Sequence, residues 1–155
     1  MTQATDLERK VAAEEARLVF DGFDEAAAFE IGCRLVDAAR RAKAPVVIDI
    51  RTPDRTLFHA ALAGAAPAND LWARRKSNVV FHFHRSSYAV GLENARKDRS
   101  LGPGIGLDPI DYADHGGSFP VRVRGVGVVA AITVSGLASA EDHAMIVAVL
   151  ESMLG

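Results

Sequence analysis

Val46-Val47-Ile48-Asp49-Ile50, the turn Thr52-Pro53-Asp54-Arg55 and the run Thr56-Leu57-Phe58-His59-Ala60-Ala61-Leu62 decide the fold. Two apolar, β-branched runs separated by a Pro-Asp turn read as a hairpin. A second hairpin follows the same logic: residues 120–124, a turn at Gly125-Val126, and a return over 127–135. Everything outside the hairpins has helical spacing or is a loop. Residues 5–17 read as a charged helix, with Leu7, Val11 and Leu18 at helical spacing. The next helix starts after Asp24, a good N-cap, and runs to about Lys43 ahead of Pro45. Its polar stripe is Glu30, Arg34, Asp37 and Arg41, and its buried stripe is Ala28, Gly32, Leu35 and Ala39. Cys33 falls at the edge between them and reads as a passive packing residue. Residues 70–83 and 86–97 form two further helices, and Ser139 opens the last one, with Asp142 completing a capping box. Residues 100–119, rich in glycine and proline, form the longest irregular stretch, of the kind that is functional or mobile. The order α-α-β-β-α-α-β-β-α implies a single α+β domain over 1–155, with an antiparallel sheet of about five strands flanked by helices.

Composition narrows the function classes. The chain has 155 residues, 49% hydrophobic and 25% charged, with a formal net charge of -2. Such a balance gives no electrostatic footprint for nucleic acid. No apolar run approaches the ~20 residues of a membrane span. The start, from Met1 to Asp6, has no basic region leading into an apolar stretch, so no secretory leader is expected. A single cysteine excludes an internal disulfide and points to a reducing, cytoplasmic setting. No Cys-x-x-Cys, His-Glu-x-x-His, Walker, dinucleotide or Gly-x-Ser-x-Gly pattern occurs, so neither a structural metal nor a nucleophile is assigned.

Four constellations carry chemistry. On the helix 70–83, Trp72, Lys76, Val79 and Phe83 share a face, which sets a cation inside an apolar stripe. Lys76 is there either a snorkelling lysine or, with Arg75 beside it, an anchor for an anionic ligand or a carboxylate. Asp114-His115-Gly116-Gly117-Ser118 combines a titratable ring with glycines that let backbone approach closely; it is a turn or an anion-binding loop. In the second hairpin, strict alternation puts Val121, Val123, Val128, Ala130, Ile132 and Val134 on one face. The reverse face, with Arg122, Arg124, Val129, Ala131 and Thr133, is apolar enough to serve as an oligomer interface or ligand wall. Among the histidines, His143 shares a helical face with Val147, Leu150 and Leu154. It is a core member with one satisfied bond, or a group in a helix first turn that favours anions. His82 and His84 diverge on a helix and do not chelate together.

From Val19 onward, several motifs in one order resemble a known group: Phe20-Asp21-Gly22-Phe23-Asp24, Ile48-Asp49-Ile50-Arg51, Leu57-Phe58-His59-Ala60-Ala61-Leu62 and the run 69–80. The series continues with Arg85-Ser86-Ser87-Tyr88, Gly106-Leu107-Asp108-Pro109, His115-Gly116-Gly117-Ser118-Phe119-Pro120 and the run 134–144. Together they resemble the UPF-type bacterial and fungal branch of the GlcG/HbpS-like superfamily, often labelled the haem-degrading domain family. The resemblance implies a profilin-like α-β-α domain that assembles with itself as a homodimer or larger homo-oligomer, and a haem or corrinoid ligand in some relatives. It also suggests a part in assembly for the N-terminal helix, residues 1–18. The expected function is a homo-oligomeric small-molecule binding protein for haem or another anionic ligand. A haem-degrading enzyme and a protein-interaction oligomer are the alternatives. Trp72, Arg75, Lys76, His115, Gly116, Gly117 and His143 are expected to gather near one cleft.

Overall fold

The computed structural model describes residues 3–155. Met1 and Thr2, where the stretch read for a leader begins, lie outside the described residues. The elements are α1 (Asp6–Arg17), α2 (Glu25–Arg41), β1 (Val47–Arg51), β2 (Thr56–Ala61), α3 (Pro67–Phe83), α4 (Ser87–Arg96), β3 (Ser118–Val123), β4 (Gly127–Ser135) and α5 (Ser139–Leu154), with a 3-10 turn at Pro103–Ile105 between α4 and β3. Their order is the one the sequence implies. Local chemistry explains the starts. Thr5 and Glu8 close a capping box on α1, and the Asp24 carboxylate accepts the Ala27 N–H at α2. Ser86 does the same for Ala89 at α4, while Glu15 of α1 holds the Ser86 N–H and hydroxyl.

The sheet is antiparallel in the order β2-β1-β4-β3. It has four strands among the described residues rather than about five. A fifth would run beside β3, but that segment, near Phe20, makes only one isolated bridge to Val123 before α2 begins. One sheet face presents Ile48, Ile50, Phe119, Val121, Ile132 and Val134 to Ile31 and Leu35 of α2 and Ile146 and Leu150 of α5. All of these side chains are fully buried, each contributing about 1.5–3 kcal/mol by its removal from water.

The other face corrects the expectation of an apolar surface on the second hairpin. Ala131 and Thr133 are fully buried there, because α3 of the same chain packs across β4. Strict alternation also fails near the turn. The register shifts after Val121, so Arg122 pairs with Val128 and Val129 turns toward the core. Cys33 is not a packing residue either; it is exposed, one position past the buried Gly32.

The irregular stretch before β3 is pinned to α3 and α4. Leu101 and Leu107 join Val79 and Val90 in a second small core. Asn78 donates to the Asp111 carbonyl, Arg75 to the Pro109 carbonyl, and the Asn94 amide to the Asp114 carboxylate. α4 meets this segment backbone to backbone: a Cβ at Gly91 would collide with the Asp114 carbonyl oxygen. Gly91→Ala is therefore expected to cost about 1–3 kcal/mol in a denaturant titration, through overpacking. A variant as stable as wild type would show that the contact is not tight.

Candidate functional site

The site is built where α3, the end of β4 and the start of α5 converge. Lys76, on the side of α3 that faces β4, is 4% exposed. Its ammonium lies 3.1 Å from an Asp142 carboxylate oxygen and 3.5 Å from the Val134 carbonyl. Asp142 is fully buried and also accepts the backbone N–H groups of Leu137 (2.9 Å) and Gly136 (3.3 Å). Asp142 therefore does not complete a capping box with Ser139: its oxygens turn back to the β4–α5 corner and to α3, and Ala138 occupies the N-cap. Burial pushes Lys76 below the ordinary lysine range and Asp142 above the ordinary aspartate range, each against the pull of the other's charge.

A cavity of about 230 Å³ opens beside this pair, lined by Asn69, Trp72, Lys76, His115, Ser135, Gly136, Leu137, Ser139 and Asp142. The first turn of α3 is positioned by a second polar cluster. Buried Asp49 accepts hydrogen bonds from Arg51 Nε (2.6 Å) and Nη2 (2.7 Å) and faces His59 Nδ1 at 3.1 Å. His59 Nε2 then meets Asp70 at 3.0 Å. This chain of contacts ties β1 and β2 to the turn that carries Asn69 and Trp72.

Three of the seven expected residues line this cavity, and two more pack beside it. Trp72, Lys76 and the exposed His115 line the cavity, with the Trp72 and His115 rings 4.8 Å apart, edge to face. Gly116 and Gly117 do not line it; they are buried beside it, packed against protein. A Cβ at Gly116 would lie 2.5 Å from the Ser139 carbonyl, and one at Gly117, whose φ is +133°, 2.8 Å from the Lys76 ammonium. Arg75 stands over the Trp72 ring at 4.5 Å and faces a different opening, an apolar groove of about 600 Å³ bounded by Ala68, Leu71, Pro109 and Ile110. His143 points elsewhere. Its Nε2 lies 2.8 Å from Glu14 of α1, its ring packs near Tyr88 and Phe119, and it borders a separate cleft between α1 and α5.

Sequence reading missed Asp142, Asn69, Ser135 and Ser139. An acid beside a histidine on an otherwise apolar helix, and Asp49 inside an apolar strand, were the available signals; neither names its partner. No group of three or more His, Cys, Asp or Glu residues suited to a metal occurs among the described residues, nor is any helix long and apolar enough to cross a membrane.

Comparison with known proteins adds context. The family model described as "Haem degrading protein HbpS-like" matches residues 23–151. A UPF0303 protein of Acidobacterium capsulatum is 48% identical over 145 residues, 94% of this chain and 88% of its own. One from Streptomyces coelicolor is 49% identical over 142 residues, covering 92% and 90%. Among solved structures, the Ybr137w protein has a TM-score of 0.86 at 30% identity over 95% of this chain and 87% of its own. HbpS has a TM-score of 0.67 at 20% identity, covering 100% and 94%, and a PduOC:heme complex 0.69 at 15%, covering 86% and 95%.

Removing one member of the buried pair strands the other charge. Asp142→Ala also leaves two backbone N–H groups without an acceptor. It should lower stability by about 3–5 kcal/mol, and Lys76→Met by less. Denaturation midpoints check both; equal losses would show that the two N–H groups do not depend on Asp142.

Proposed function

The chain belongs to the HbpS-like family, and we propose that it is a small-molecule binding protein whose cavity beside Lys76 takes a compact anionic ligand. One observation carries the reading. The hydrogen-bond donors around the cavity outnumber the protein acceptors available to them. Lys76 has three N–H donors and two protein acceptors. The Asn69 carboxamide N–H₂, the Ser135 and Ser139 hydroxyls and the His115 ring have no hydrogen-bond partner among the described residues. Asp142, the one acid present, is occupied by three donors. A carboxylate or similar oxoanion answers such a donor excess. No catalytic role is assigned, and the exposed, lone Cys33 suits a reducing, cytoplasmic setting.

The cavity, about 230 Å³, is smaller than the roughly 300–1,000 Å³ of ordinary small-molecule pockets, which favours a compact anion in it over haem, the group the family description names. A second reading keeps a tetrapyrrole on the other side of Trp72. The groove there is apolar, about 600 Å³, and rimmed by Arg74 and Arg75, though it contains no histidine.

We also propose that the chain assembles with itself through this groove. Leu71 and Ile110 on its walls are 61% and 70% exposed. Its rim carries both signs of charge, with Arg74 paired to Asp111. Such a rim suits a two-fold contact between copies.

Two measurements test these readings. Fluorescence of the sole tryptophan, Trp72, should respond to short carboxylates in wild type and lose at least about tenfold in affinity on Lys76→Met. Haemin should give no absorbance band that depends on Trp72 or His115; a band lost on Trp72→Ala but kept in Lys76→Met would replace the first reading with the second. Light scattering should give at least a dimer, reduced to a monomer by Leu71→Glu, and a monomeric wild type overturns the assembly.

A further inference from the structure

We infer that Lys76 is a covalent capture site: its amine condenses with the carbonyl of a short 2-oxo acid held in the cavity by its carboxylate. The inference rests on the compact-anion reading and adds chemistry at the nitrogen. Lys76 stands apart from the other three lysines, Lys10, Lys43 and Lys97, which are all exposed. It is the buried one, bordering the cavity with a carboxylate 3.1 Å from its nitrogen. Lysines become nucleophiles when desolvated in this way, and burial shifts both Lys76 and Asp142 toward their neutral forms.

Size and donors specify the partner. At about 30 Å³ per water-sized unit, the cavity of about 230 Å³ has room for roughly seven or eight non-hydrogen atoms, which is a 2-oxo acid of about four or five carbons, and the three-carbon acid fits within it. Asn69, Ser139 and His115 offer donors to its carboxylate, leaving its carbonyl carbon for Lys76. The step balances without an oxidant or reductant. Asp142 accepts a proton from the ammonium, the freed amine forms a C–N bond to the carbonyl carbon, and the carbonyl oxygen takes that proton. The carbinolamine nitrogen then passes its second proton, by way of Asp142, to the hydroxyl, which leaves as water as the C–O bond breaks. Ammonium and ketone have become iminium and water, with Asp142 again a carboxylate beside the positive nitrogen.

The test uses the full wild-type chain with pyruvate, and lactate as its carbonyl-free analogue. Binding of each is followed by Trp72 fluorescence, and parallel samples receive cyanoborohydride before intact-mass and peptide analysis. The expected result is binding of both acids and, with pyruvate only, a mass gain of one pyruvic acid less one oxygen, located on Lys76. Asp142→Asn should slow its appearance by at least about tenfold, as loss of a proton-transfer partner does. Binding of both acids with no adduct, or with adducts spread over Lys10, Lys43 and Lys97, overturns covalent capture while the compact-anion reading stands. Absence of both binding and adduct overturns the two together.

Discussion

A buried ammonium must be answered by a buried acceptor, and in this fold that requirement falls on Lys76 and Asp142. Taking each ion out of water costs several kcal/mol, which their attraction offsets only when the remaining hydrogen-bonding capacity is also filled. Here the Val134 carbonyl and the Gly136 and Leu137 N–H groups fill it. Those groups lie at the end of β4 and the corner before α5, so the pair fixes the relation of α3 to both. The side-chain cap that Ser139 and Asp142 offer to α5 is given up for this; the helix begins on Ala138 without one.

The same crowding dictates where glycine is required. The segment 113–117 runs between α4 on one side and the Lys76–Ser139 corner on the other. Around this segment, a methyl group at Gly91, Gly116 or Gly117 would strike backbone or the ammonium itself. The Gly116-Gly117 pair thus lets the protein approach itself, and His115 reaches the cavity mouth because the two residues after it occupy almost no volume. An element that looks like a ligand loop in sequence is first a packing solution, and its nearness to the ligand space follows from that.

Local patterns made most of the fold legible. β4 covers the residues its alternation implies, and the expected stripe of α2, Ala28, Gly32, Leu35 and Ala39, is buried together with Ile31. What failed was nonlocal. The pairing of β3 with β4 shifts register beside Val129, which alternation along one strand does not reveal, and the burial of Ala131 and Thr133 depends on α3 crossing the sheet. In the site, the shared face of Trp72 and Lys76 was readable from helical spacing, whereas Asp142 is 66 positions from Lys76 and no periodicity links them. His143 misled for a related reason. Its place on an apolar face said that it was buried, but its partner, Glu14, belongs to a helix at the other end of the chain.

Stability alone does not account for the buried pair. Well-packed apolar residues of similar volume commonly match or exceed a buried ion pair, and β4 already packs apolar residues on both faces. Nor is the pair needed to set register, since four strands are aligned by their own ladders. It differs from a core ion pair in that it borders open volume flanked by hydroxyl, amide and imidazole groups. Trp72 divides that volume from the apolar groove, with its ring edge against His115 and Arg75 over its face. A fold shared across a family fixes the frame, while the chemistry resides in the side chains set upon it. In this chain those side chains set a desolvated amine and its carboxylate partner beside hydroxyl, amide and imidazole groups around one small volume, and the proposed carboxylate ligand rests on that combination rather than on the fold.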